Sequence, residues 1–152
     1  MIVKDILYKW ENLGYYGLNV IFKLDDNRTL LFDSLKFSFV DDLNLNNRWK
    51  YLPHCNDKLL IEGIYEDEIT SYFVQFSNGY IFYIYQYLDG DEDVTQDFKI
   101  VKPGDSDYNE VVEYMNEDWI DVWYCKSDSI DRIAIRSINQ IKWLYPKQDI
   151  IK

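Results

Sequence analysis

The sequence predicts an α+β chain, predominantly β: an antiparallel sheet built from hairpins, with one or two amphipathic helices. Three observations carry that expectation. Aromatic residues are abundant, with 14 Tyr, 8 Phe and 5 Trp, and such side chains fit pleated, half-buried surfaces. The best helix former is nearly absent, since Ala134 is the only alanine. Finally, Ile69 to Leu88 reads ITSYFVQFSNGYIFYIYQYL, two β-branched and aromatic runs around Asn78-Gly79, the strongest short-range hairpin signal. With 152 residues and no evident linker, residues 1–152 read as a single β-rich domain.

In chain order, apolar residues at 2, 3, 6, 7, 10 and 13 followed by Gly14 favour a first helix. The competing reading is a strand with Ile6, Tyr8 and Trp10 on one side. Leu18, Val20, Phe22 and Leu24 share one side, with Asn19 and Lys23 among those on the other, Asp25-Asp26-Asn27 turns the chain, and Thr29 to Asp33 returns it. Leu35, Phe37 and Phe39 make a third strand of this meander, with one face in solvent. Asp41 to Asp57 is connection, pinned by Trp49, Tyr51 and Leu52. Lys58 to Tyr65 leads into the central hairpin. A two-residue loop there would set Phe76, Val74 and Tyr72 opposite Ile81, Tyr83 and Tyr85 on the buried face.

Past Leu88 the chain is expected to leave the sheet through Asp89-Gly90-Asp91-Glu92-Asp93. Asp97 to Val101 makes a short strand stopped by Pro103-Gly104. Asp105 or Ser106 caps a helix over Asp107 to Glu117, whose buried stripe is Tyr108, Val111, Val112 and Met115. Trp119 to Cys125 and Arg132 to Ile138 form a further hairpin, and Ile141 to Tyr145 closes the chain.

The net charge is −11, which argues against nucleic acid or an anionic membrane surface as a direct ligand. Its distribution is uneven. Between Asp89 and Asp121 twelve acids face only Lys99 and Lys102. No apolar run approaches the ~20 residues of a membrane span. The charged N-terminus lacks the apolar core of a signal peptide. A cytoplasmic protein is expected, with Cys55 and Cys125 free and at least partly buried.

Few residues carry recognisable chemistry. His54 and Cys55 are chain neighbours, which point apart in an extended backbone. Asp89-x-Asp91-x-Asp93 begins like a calcium loop, but Val94 and Ile100 stand where Gly and a bidentate Glu are needed. Asp97-x-Lys99 has a spacing used by some metal-dependent nucleases, which so acidic a chain would not serve. No catalytic residue, metal site or cofactor is expected, and no enzyme.

Two features remain. One is the acidic segment, with Asp89, Asp91, Glu92, Asp93, Glu110, Glu113, Glu117 and Asp118 as a partner-binding face. The other is Tyr83, Tyr85 and Tyr87, at period two on one strand face, where tyrosine supplies contact area at low entropic cost. Together they describe a small protein-binding module, an inhibitor or immunity or anti-defence type of protein, that covers the basic, nucleic-acid-binding surface of a partner protein. The alternatives are a homo-oligomeric assembly protein and a small ligand-binding domain or enzyme.

Overall fold

The computed structural model describes residues 1–12, 16–33, 36–40, 48–53, 59–67, 71–89, 93–117, 120–125 and 129–132. They form strands β1 (Ile2–Asn12), β2 (Tyr16–Leu24), β3 (Thr29–Phe32), β4 (Phe37–Val40), β5 (Lys50–Tyr51), β6 (Leu59–Glu66), β7 (Tyr72–Phe76), β8 (Ile81–Asp89) and β9 (Asp93–Val101). Helix α1 (Tyr108–Met115) and strands β10 (Asp121–Cys125) and β11 (Ile130–Arg132) follow. The protein is predominantly β, its strand pairs almost all antiparallel, with one short helix among the described residues. Two compact units divide the chain: Met1 with 60–85 and 98–152, and 2–59 with 86–97.

In the first unit the strand order is β11-β10-β6-β7-β8-β9. The central hairpin exists as expected, but its register is one residue off. Gln75 pairs with Ile81, Val74 with Phe82, Phe73 with Tyr83 and Tyr72 with Ile84. The reason is the turn. Only Gly79 takes a left-handed φ, +91°, while Asn78 does not, so the loop has three residues ending in a glycine bulge, not two residues both at positive φ. Gly79 N donates to Phe76 O at 2.9 Å and Phe76 N to Tyr80 O at 2.9 Å.

The slip changes which side chains share a face. Phe73 and Gln75 now lie with Ile81 and Tyr83, and α1 covers this side. Its buried Tyr108, Val111, Val112 and Met115 pack with Tyr65, Phe73, Ile81, Val101, Ile120 and Val122. These four helical positions are the stripe the sequence predicts. All five residues of β7 are buried: Tyr72, Val74 and Phe76 as expected, and with them Phe73 and Gln75, on the side expected to be partly wet.

Helix α1 starts later and is capped differently. Asp107 is the N-cap residue and makes no side-chain cap bond. Asp105 closes the preceding turn, its Oδ2 accepting from Lys102 N at 2.8 Å. Tyr108, buried, donates its hydroxyl to Gly79 O at 2.6 Å and so ties the helix to the hairpin turn; burial pushes this phenol up to about 12. Cys125 is free and buried, and desolvation raises its thiol to about 12, which suits a packing residue.

The second unit holds the meander. β2 pairs along its length with β1 and, on its other edge, with β3, which pairs in turn with β4. Leu18, Val20, Phe22 and Leu24 are all buried, as their alternation requires, and Phe22 meets Phe32 at 5.3 Å. Asn27 carries a left-handed φ of 69° in the β2–β3 turn, a position asparagine tolerates.

Three expectations are corrected. Residues 2–12 form a strand, not a helix. A register shift between Val3 and Asp5 inserts Lys4 as a bulge, so buried Val3 and Ile6 fall three residues apart and imitate helical spacing. Leu7 and Ile21 are Cα partners and both buried, giving the polar face of this pair an apolar patch. In the 41–57 connection Leu52 N donates to Ile6 O at 2.9 Å and Trp49 lies under Lys9 Nζ at 4.8 Å, but Tyr51 is exposed.

Asp89 and Asp93 do not leave the sheet either. β8 continues to Asp89 and β9, its neighbour in the sheet, begins at Asp93; 90–92 lie outside the described residues. In the second unit β9 meets β2 through one parallel bridge, Tyr16 with Thr95. There Gln96, buried, accepts from Leu18 N through Oε1 at 2.8 Å, and its carbonyl accepts from Trp10 Nε1 at 2.9 Å. The last hairpin pairs Cys125 with Ile130, earlier than expected; the remainder of that expectation, with 141–145, lies outside the described residues.

Candidate protein-docking surface

The residues that could meet a partner in the first unit lie where α1 borders β8 and β9. Tyr83 anchors the group. It is half-buried, and its ring stacks on Phe73 at 4.5 Å between centroids with only 6° between planes. Tyr85 follows at 5.0 Å and Tyr114 of α1 at 6.3 Å. Tyr114 is 41% exposed and donates its hydroxyl to Glu110 Oε1, one helical turn earlier. That bond raises the phenol of Tyr114, with burial and the charges of Glu110 and Glu113 adding to it.

Burial likewise drives the Tyr83 phenol well up, reinforced by the nearby charges of Asp67 and Glu110. The Asp67 carboxylate is held in place, its Oδ1 accepting from Ser71 N at 2.8 Å. One cation enters the group. Lys99 Nζ lies 2.7 Å from Asp107 Oδ2 and 5.8 Å from the Tyr85 ring centre. The hydrogen bond raises the Lys99 ammonium and lowers the Asp107 carboxyl.

Glu110 and Glu113 are exposed on α1, as expected, and no basic residue follows in its last turn. Glu117 lies beyond the helix end and is partly buried. Asp89 and Asp93 end β8 and start β9 in the second unit, while Asp91, Glu92 and Asp118 lie outside the described residues. The three tyrosines are therefore unequal. Tyr83 and Tyr85 join the group, whereas Tyr87 belongs to the second unit and is 44% exposed.

Sequence reasoning missed Tyr114, Asp67, Asp107 and Lys99 as members of this surface. The i,i+4 relation of Glu110 to Tyr114 was the one signal that could have found a member. Among the described residues no cluster of three or more His, Cys, Asp or Glu could hold a metal ion; His54 and Cys55 lie outside them. Among the same residues no helix is long and apolar enough to cross a membrane. No protein-family model, curated protein or solved structure matches this chain.

Proposed function

We propose that the protein is a small cytoplasmic protein-binding module that covers a basic surface on a partner, in the manner of an inhibitor or immunity protein. The observation that carries this reading is the outward side of α1, where Glu110 and Glu113 flank exposed Tyr114 and that tyrosine leans toward Tyr83. Carboxylates there would occupy ground a partner keeps for phosphate, and the tyrosines would supply desolvated contact area. The acids from Asp89 to Asp93 would add long-range attraction. No catalytic step enters this function.

The test is capture from lysate at low and high salt, followed by association kinetics with the recovered protein. The expected partner is basic and is released by salt. Combined Glu110→Gln, Glu113→Gln and Glu117→Gln slows association by about tenfold and flattens its salt dependence. An unchanged association rate overturns the acidic-face reading. A second reading, self-association, draws on exposed Trp10, Phe39 and Tyr51 of the second unit; sedimentation that returns a concentration-dependent oligomer at both salts would favour it.

A further inference from the structure

We propose that the α1 face of the first unit docks arginine in preference to lysine, a partner's guanidinium lying against Tyr83 and Tyr114 and forking onto Glu110. This inference rests on the docking function proposed above and names the side chain that the surface reads.

The geometry supplies both halves of an arginine cradle. The Tyr83 and Tyr114 rings pack against each other, 6.3 Å between centroids at 43°, and Tyr114, 41% exposed, extends that aromatic surface to solvent. Phe73 stacks on Tyr83 and fixes that ring before any partner arrives, which lowers the ordering cost of binding. The Tyr114 hydroxyl orients the Glu110 carboxylate. A carboxylate has about four acceptor positions, so holding one hydroxyl leaves capacity for a two-pronged donor.

Charge complementarity selects the occupant. Asp67 and Glu110 both bear on Tyr83, and Glu113 bears on Tyr114. The nearby cation, Lys99, is matched by Asp107 at 2.7 Å, so the field over the two rings stays negative. Lys99 also demonstrates the chemistry on the next tyrosine, a cation held over the Tyr85 ring with its head on a carboxylate. Arginine suits this surface better than lysine because its planar guanidinium stacks on a ring and forks onto a carboxylate together, whereas an ammonium acts as a strongly hydrated point charge.

The test uses the full chain and two synthetic peptides of equal length and spacing, one bearing four arginines and the other four lysines. Fluorescence anisotropy is read at low salt. The arginine peptide is expected to bind about tenfold tighter, the gap a stacked and forked contact supports over a point charge. Tyr114→Ala should remove most of that gap, weakening the arginine peptide several-fold more than the lysine peptide, because only the guanidinium stacks on the ring. Glu110→Gln should weaken the arginine peptide more than Glu113→Gln, which removes the same charge from the same helix.

Equal affinity for the two peptides, both falling with salt, overturns the arginine inference and leaves the acidic docking reading standing. An arginine preference untouched by Tyr114→Ala and Glu110→Gln overturns it too, because the preference then resides elsewhere. If neither peptide binds at low salt, both readings fail.

Discussion

Among the described residues each unit buries one glutamine, and the two are used differently. Gln96, in the second unit, accepts from the backbone of Leu18, while its own carbonyl accepts from Trp10. It stands beside the single parallel bridge between β2 and β9, where its side chain takes the place of a missing ladder bond. Gln75, in the first unit, accepts only from the Tyr65 hydroxyl at 2.9 Å, and its Nε2 finds no partner among the described residues. One buried amide completes the backbone. The other joins two side chains and leaves a donor stranded. A buried polar group stabilises when its absence would orphan something else, and costs stability when it is itself the orphan.

The same substitution at both sites breaks or confirms that contrast. Gln96→Met strands Leu18 N–H in the interior and is expected to destabilise by about 1–3 kcal/mol, read as a lower urea midpoint at unchanged slope. A loss below about 0.5 kcal/mol would mean that water or a shifted strand replaces the amide.

A smaller effect is expected from Gln75→Met combined with Tyr65→Phe. Both partners of the bond then become apolar at similar volume, so stability should hold within about 1 kcal/mol or rise. A loss as large as that of Gln96→Met would show that Gln75 anchors the hairpin beneath α1 and would erase the difference between the units.

The smallest effect concerns exposed ion pairs, one taken from each unit. Lys99–Asp107 joins β9 to the start of α1, and Asp26–Arg28 lies within one turn, each at 2.7 Å. The Asp107 carboxyl is lowered by its hydrogen bond from Lys99, so its contribution is present above the ordinary aspartate pKa and is lost as pH falls through the lower folded value. The Lys99 ammonium is raised, so its share persists below the ordinary lysine pKa and disappears as pH rises through the higher folded value. Asp26 is lowered by its hydrogen bonds with Arg28 and should act only at the acid end. Urea midpoints of Asp107→Asn and Asp26→Asn against wild type should converge in acid, with only the Asp107→Asn gap closing again in strong base. If the Asp107→Asn gap persists into strong base, Lys99 is not its partner in solution.

Much of this was legible where the pattern was regular. The alternation of Leu18 to Leu24 gave β2 and its buried side, and Tyr108, Val111, Val112 and Met115 gave the inner side of α1. It failed where one residue broke the period. The Lys4 bulge turned a strand into a helical pattern, and tertiary pairing with β2 along the whole of β1 decided the outcome. Asn78-Gly79 announced a hairpin correctly, but the pair serves two turn types, and which of its residues takes positive φ is not written in the dipeptide. The candidate surface was half visible. Glu110, Tyr83 and Tyr85 could be read from their own elements and Tyr114 from its i,i+4 relation to Glu110, whereas Lys99 and Asp67 reached it only through tertiary packing.

The Asn78-Gly79 turn also governs chemical ageing. Asparagine followed by glycine is the dipeptide most prone to lose its side-chain amide, through attack of the glycine nitrogen on the asparagine side-chain carbon. In this turn Gly79 N is committed to Phe76 O at 2.9 Å, and Asn78 Oδ1 is held by Tyr80 N at 3.0 Å. Nucleophile and target are restrained together while the hairpin is closed. Conversion at Asn78 therefore acts as a slow clock, advancing whenever the centre of the first unit opens.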